Sequence, residues 1–151
     1  MNVQKNKKIY SWTWNQYYKD CMSFAKSLHF IGVDSRKAVN IMGFNSPEWA
    51  IAYFGSMMHN NVVSGVYTTN GADACQYQAE HSEAQVIVVE TINHLKIYMN
   101  IIDQIPEVKA LVCWGVDQIP DDLQKDSRIY TYKNFLDLGS KIEDNVIDEI
   151  S

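Results

Sequence analysis

Arginine is scarce in this chain: Arg36 and Arg128 are its only two, and the formal net charge is −5. Gripping a nucleic-acid backbone takes clustered Lys and Arg on one face, which argues against a nucleic-acid partner. The single basic cluster, Lys5, Lys7 and Lys8, falls in residues 1–9. That stretch reads as a polar N-terminal tail, a solvated end with at most weak attraction to anionic lipid. Cysteine is scarce too. Cys21, Cys75 and Cys113 are odd in number and far apart, which argues against a disulfide framework or a Cys-x-x-Cys metal site and for a reducing, intracellular compartment. No apolar run approaches the roughly 18 residues that a transmembrane helix needs. The start, "KNKKIYSWTWNQYYKD", has no signal-peptide core, and no Asn-x-Ser/Thr acceptor occurs. The expected location is cytoplasmic, at most peripheral to membranes.

Glycine and proline number only seven and three. What is present suits a folded domain: 151 residues, 46% hydrophobic and 21% charged, ordinary values for a globular protein. One domain of this length buries roughly 70% of the surface its unfolded chain exposes. Four short apolar runs recur, "AVNIM" (38–42), "VVSGV" (62–66), "VIVV" (86–89) and "ALVC" (110–113). None alternates with polar residues, as expected for strands covered on both faces. The intervals 43–61, 67–85 and 90–109 are long enough for parallel crossovers, which usually carry a helix. Ser46 and Pro47 supply an N-cap and a first helical residue, and "GADACQYQAEHS" and "INHLKIYMNIID" supply two more helices.

Ahead of the first strand, Tyr17, Cys21, Phe24 and Leu28 form one helical stripe, with Thr13 placed to cap it and Gly32 to end it. The region 115–128 reads as a polar surface loop, and "YKNFLDLGSKIEDNVIDEI" as a final acidic helix. The fold class is therefore α/β, a mostly parallel sheet with helices on both faces, its strand order unread.

The first strand-to-helix junction, "NIMGFNSPEWAIAYFG" (40–55), lies where many nucleotide-binding proteins hold a phosphate. Its chemistry is wrong for that. Phosphate cradles use several glycines so that backbone amides approach the anion, as in G-x-G-x-x-G or G-x-x-x-x-G-K-[ST]. Here Pro47 removes one first-turn donor, Ser46 occupies another, and no cation follows. The helix "PEWAIAYFGSMM" is apolar nearly all round, which predicts burial. The second junction, "GVYTTNGADACQY", places Tyr67, Thr68, Thr69 and Asn70 at the carboxyl end of a strand, where open sheets bind ligands. The same residue types also cap helices, and Thr69 or Asn70 as a cap is the simpler reading.

"EHSEA" (80–84) reads as a helix end rather than a His–Glu acid/base pair. His29, His59 and His94 stand isolated, and no G-x-S-x-G elbow exists. Asp117, Asp121, Asp122 and Asp126 lack EF-hand spacing. Tyr10, Trp12, Trp14, Tyr17 and Tyr18 lack the interleaved cations of a stacking platform for single strands. Catalytic residues: none are expected; cofactor-binding residues: none; metal ligands: none.

The motifs do resemble a family. "YSWTW" (10–14), Ala25-x-x-Leu28-x-x-x-Gly32-Val33, Val39-x-Ile41 and "GFNSPEW" (43–49) resemble the opening of AMP-forming acyl-CoA synthetases. "YTTN" (67–70), "ACQY" (74–77), "EHSEA" (80–84) and "NFLDLG" (134–139) resemble the long-chain, bubblegum-type branch in particular. Residues 10–151 would then be part of the N-terminal domain of such an enzyme. The resemblance implies a long-chain fatty-acid–CoA ligase that activates a fatty acid with ATP, passes through an acyl-adenylate, releases pyrophosphate and transfers the acyl group to CoA. ATP, Mg and CoA are implied for the full-length parent. The family's Ser/Thr/Gly-rich phosphate loop, its adenine and magnesium motifs and its C-terminal catalytic lysine have no counterpart here. This chain is therefore expected to be a fragment or truncated form, inactive alone, with a fatty acid, a second copy or the remainder of the enzyme as candidate partners. An alternative from another class is a non-catalytic binding or interaction module; a third is an unrelated flavodoxin-like domain with a ligand at the "YTTNG" edge. The chain departs from the family at Arg36-Lys37-Ala38, where Gly-Asp is usual, and at Met58-His59-Asn60-Asn61, where glycine is usual. Asparagine tolerates the left-handed backbone such a turn needs.

Overall fold

The computed structural model describes residues 2–5 and 8–150. It opens with strands β1 (Asn2–Lys5) and β2 (Lys8–Ser11), paired antiparallel with Asn2 opposite Ser11. Much of the expected tail is thus a hairpin separate from the main sheet. Lys7 lies outside the described residues, and so do the side chains of Lys5 and Lys8.

Helix α1 (Trp14–Phe30) begins as the sequence predicts. The Thr13 hydroxyl accepts from the Gln16 amide at 3.2 Å, and the Gln16 side chain accepts from the Thr13 amide at 2.9 Å. This reciprocal capping box satisfies two donors that a helix start leaves open. The helix ends at Gly32, whose φ of 73° is left-handed, and the Val33 amide closes back on Leu28 O, a glycine-terminated helix end.

Five strands follow, alternating with helices: β3 (Ala38–Met42), α2 (Pro47–Met58), β4 (Val62–Val66), α3 (Ala72–His81), β5 (Ala84–Val89), α4 (Ile92–Met99), β6 (Ala110–Cys113), β7 (Ile129–Thr131) and α5 (Tyr132–Leu138), with a short α6 (Asn145–Asp148) at the end. All neighbours are parallel, in the order β4-β3-β5-β6-β7. Counted from β3, that is the 2-1-3-4-5 order of doubly wound sheets, whose switch point lies between β3 and β5.

Side-chain alternation sorts the core into two layers. Val39, Ile41, Val86, Val88, Ala110 and Val112 face α1, α2 and α5. Met42, Ile87, Val89, Leu111 and Cys113 face α3 and α4. Phe24 of α1 is fully buried, 5.2 Å from the ring of Phe135 and 6.2 Å from that of Tyr132. Strands β3, β5 and β6 are buried along their whole length, because helices cover both of their faces.

Several expectations need correction. Strand β4 is not covered on both faces: it is the sheet edge, and Val62 is exposed. Helix α2 buries one face through Pro47, Ile51, Ala52, Gly55 and Ser56, while Phe54 and Met57 are exposed. Residues 129–131 form a fifth strand that no apolar run announced. The final acidic helix is broken. A 3-10 turn (Gly139–Lys141) separates α5 from α6, since the Ser27 hydroxyl takes the Gly139 amide at 3.0 Å and donates to Phe135 O at 2.6 Å. The loop 115–128 is largely polar but anchored, with Ile119 and Leu123 tucked into the α3/α4 layer.

The two departures from the acyl-CoA synthetase pattern meet in space. Arg36 (φ 66°) donates its amide to Asn60 O at 2.8 Å, and Asn60 (φ 59°) donates its side-chain amide to Ser35 Oγ at 2.8 Å. Both left-handed positions survive without glycine. Asparagine does this at little cost, whereas a long side chain such as Arg36 carries roughly 1–2 kcal/mol of strain there.

Candidate functional site

In an open parallel sheet, ligands bind outside the carboxyl ends of the strands, at the switch point. Here that position is flanked by the β3–α2 junction (43–46) and the β5–α4 junction (90–91). The chain's own groups occupy part of it. The Phe44 amide donates to Glu90 Oε2 at 2.9 Å, so a carboxylate stands where a bound anion would meet the backbone. The Glu90 amide donates to Met42 O at 3.0 Å. At Gly43, a Cβ would lie 2.4 Å from the Trp114 ring and 2.7 Å from Glu90 Cβ; at Gly115, one would lie 2.0 Å from Glu90 O. These two glycines serve close packing of three loops, and a shallow depression of about 410 Å³ lined by Glu90, Thr91, Asn93 and Gly115 lies beside them.

The start of α2 is equally committed. The Ser46 hydroxyl accepts from the Trp49 amide at 3.1 Å, Ala50 donates to Ser46 O, and Pro47 has no N–H. Glu90 was not singled out in the sequence. The available signal was a lone acid directly after the apolar run "VIVV".

At the β4–α3 junction the capping expectation fails. The N-cap is Gly71, with no side-chain hydrogen bond. Tyr67 is exposed and Thr69 faces solvent, and a turn closes through Asn70 N to Tyr67 O at 3.0 Å. "EHSEA" is a helix end: α3 stops at His81, whose ring stacks on Tyr77, and Glu83 pairs with Lys37. That pairing, first by hydrogen bond and then by charge, lowers the Glu83 pKa. Of the four aspartates in 117–126, Asp126 forms a two-pronged pair with Arg128, at 2.9 and 2.7 Å. Among the described residues no group of three His, Cys, Asp or Glu is placed to hold a metal ion.

His29 and His59 are not isolated: their ring centroids lie 5.8 Å apart. His59 is 2% exposed, and its Nδ1 sits 2.7 Å from Asn61 Oδ1. Asn61 Nδ2 donates to Asp34 O and Lys37 O, which turns Oδ1 toward the histidine. Nδ1 is therefore the protonated nitrogen, and Nε2 is buried without a partner. Burial, ahead of the opposing Asn61 hydrogen bond, lowers the His59 pKa. His94 stands apart from both, at the start of α4, its Nδ1 buried without a partner. The thiols of Cys21, Cys75 and Cys113 are free and buried. Burial pushes that of Cys21 up to about 11, so none is a poised nucleophile.

A depression of about 680 Å³ lies beside the switch point. Asp20, Glu48, Asp117, Tyr132 and Lys133 are among the residues that line it. Tyr132 donates its hydroxyl to Glu48 O at 3.2 Å, and burial raises its pKa far above the ordinary value. The lining of the depression carries the carboxylates Asp20, Glu48, Asp117 and Asp137 against the single cation Lys133, a charge balance unfavourable to a polyphosphate.

The model of the AMP-binding enzyme family matches residues 3–140. This chain belongs to that family. Among curated relatives, the long-chain-fatty-acid–CoA ligase ACSBG2 of Xenopus laevis is 39% identical over 139 residues, covering 91% of this chain and 18% of that ligase. ACSBG2 of Gallus gallus is 35% identical over 150 residues, covering 97% of this chain and 19% of that ligase. The chain therefore spans about a fifth of the length of these relatives and matches their N-terminal portion. Solved structures agree on the fold. The A-PCP didomain of carboxylic acid reductase from Segniliparus rugosus, in complex with AMP, superposes with a TM-score of 0.75 at 14% identity, covering 87% of this chain and 21% of that one. The anthranilate CoA ligase AuaEII, with anthranoyl-AMP, gives 0.70 at 18% identity, covering 82% and 22%. The family implies ATP and magnesium. The β3–α2 junction is a poor fit for a triphosphate, because Glu90 already takes the Phe44 amide, Pro47 offers no donor and no cation follows.

Proposed function

We propose that this polypeptide is the scaffolding N-terminal part of a long-chain-fatty-acid–CoA ligase, and that the 151-residue chain alone does not activate a fatty acid. The observation that carries the proposal is the partly occupied switch point, where Glu90 takes the Phe44 amide at 2.9 Å. Family membership supports the parent reaction: ATP and a fatty acid give an acyl-adenylate and pyrophosphate, and CoA then takes the acyl group. In this reading ATP, magnesium and CoA are held by parts of the ligase beyond these residues. The fatty acid and the rest of the enzyme are this chain's natural partners. The site of action is the cytoplasm and its membrane surfaces; among the described residues no helix is long and apolar enough to cross a membrane. The test is ATP–pyrophosphate exchange with palmitate and magnesium. The expected result is a rate equal to the enzyme-free blank; robust exchange by this chain would sink the proposal.

A second reading, a non-catalytic interaction module, is favoured by one observation. Trp14, Tyr17, Phe54, Tyr53 and Trp49 form a chain of ring contacts across α1 and α2, with successive centroids 6.4, 6.1, 5.1 and 5.5 Å apart. Trp14 at its end is 82% exposed. Contiguous apolar surface of this kind favours association. Sedimentation showing only monomer across a wide concentration range would count against it.

A further inference from the structure

The β4–α3 loop lies away from the switch-point contacts of Glu90, and it carries the chain's single Asn-Gly pair, Asn70-Gly71. We propose that Asn70 is a site of spontaneous backbone-assisted deamidation, a covalent modification that turns it into aspartate and isoaspartate in the folded protein.

The chemistry requires the amide nitrogen of the following residue to reach the Asn side-chain carbonyl carbon. A free N–H, an unhindered neighbour and an uncommitted Asn side chain favour it. All three conditions are met here. Gly71 is exposed, and a Cβ built on it would have nothing within 4 Å. Its amide makes no backbone hydrogen bond, since the turn closes one residue earlier through the Asn70 amide and the helix begins with Cys75 N on Gly71 O. Among the described residues the Asn70 side chain makes no hydrogen bond, and its main-chain carbonyl receives a 3.8 Å contact from the Cys75 thiol. Glycine, with no Cβ, samples the backbone angles that bring the two groups together.

The step balances with water as the only co-reactant. Gly71 N loses its proton to solvent base and attacks Asn70 Cγ; the new N–C bond closes a five-membered succinimide. The Cγ–Nδ2 bond breaks, and the amide nitrogen leaves as ammonia. Water then opens either carbonyl of the ring. One opening gives an ordinary aspartate at position 70; the other gives isoaspartate, with one extra methylene in the main chain. The first product is tolerated, because a carboxylate next to the N-terminus of α3 is favourable for the helix dipole. The second lengthens the chain immediately before the α3 N-cap.

Other asparagines provide internal controls. Asn45 precedes Ser46, whose side chain is engaged as a cap, and Asn61 is tied to two carbonyls. The experiment incubates the folded 151-residue chain at neutral and mildly alkaline pH, then maps peptides by mass and treats them with an isoaspartyl methyltransferase. The peptide spanning Tyr67 to Gln78 is expected to convert first, to a pair of products of which one accepts methyl groups. Gly71→Ala, whose methyl points into open space, is expected to slow conversion by about tenfold. The denatured chain supplies the reference rate. Conversion in the folded chain within about threefold of that reference, roughly 0.7 kcal/mol in barrier, supports the proposal. A folded chain that is far slower, an Asn45 that converts sooner, or a Gly71→Ala variant that converts as fast would each overturn it.

Discussion

At the scale of single residues, His59 has the most to reveal. Its Nε2 is buried and unpartnered, and Asn61 dictates which nitrogen holds the proton. Charging the ring means placing a cation in a desolvated site beside His29, so the folded pKa lies below the ordinary 6.5. The unfolded chain then binds the proton more readily than the native one, and stability falls as protons are added. Stability referable to His59 is fully present above pH 6.5 and declines as pH drops through 6.5 toward the native pKa, below which it levels off. Urea unfolding across that window checks it: a His59→Gln variant, with no group to titrate, is expected to show a flatter profile than the parent. Little of this site was legible in the sequence, where His29 and His59 are thirty positions apart. Only the packing of α1 on α2 brings them together. The aromatic stripe of α1 was legible, because Tyr17, Cys21, Phe24 and Leu28 repeat with the helical period.

At the scale of elements, the break in the last helix rests on a close approach to α1 as well as on the Ser27 hydrogen bonds. Gly139 sits so close to α1 that a Cβ would stand 2.4 Å from Ser23 O and 3.1 Å from Ser27 Oγ. Its φ of −63° is ordinary for any residue, so the requirement is space and not backbone freedom. Gly139→Ala is expected to cost about 1–3 kcal/mol through overpacking, read as a lower urea midpoint with an unchanged slope. Strands β3, β5 and β6 were readable because helices on both sides leave a strand mostly apolar, with Asn40 and Gln85 as buried polar exceptions. Strand β4 met the same compositional test and proved to be an edge. Its composition does not record that, among the described residues, no strand pairs with its outer side, although Gln78 reaches over to donate to Gly65 O at 2.9 Å. Strand β7, "IYT", is too short to signal itself and exists through pairing with β6.

For the whole molecule, the question is whether an AMP-binding scaffold of this extent can hold its family's nucleotide. A ligand bound only by the native state raises stability by roughly 2.7 kcal/mol at a hundredfold excess over its Kd. With the switch point partly occupied by Glu90 and the neighbouring cleft acidic, millimolar ATP with magnesium is expected to leave the melting temperature unchanged. A concentration-dependent rise would show that the chain grips nucleotide after all. This readout is independent of turnover and separates a chain that binds without reacting from one that does neither.

What the sequence determined by itself was local and periodic. It set the helix starts at Thr13 and Ser46, the helix end at Gly32, the buried strands, the α/β class, and the family through its ordered motifs. These depend on residues a few positions apart, and chain periodicity encodes such relations directly. Tertiary structure alone decided the strand order, the exposed edge, the His29–His59 contact and the placing of Glu90 at the switch point. Each of these depends on pairs of residues distant in the chain, and their meeting is set by how the layers pack.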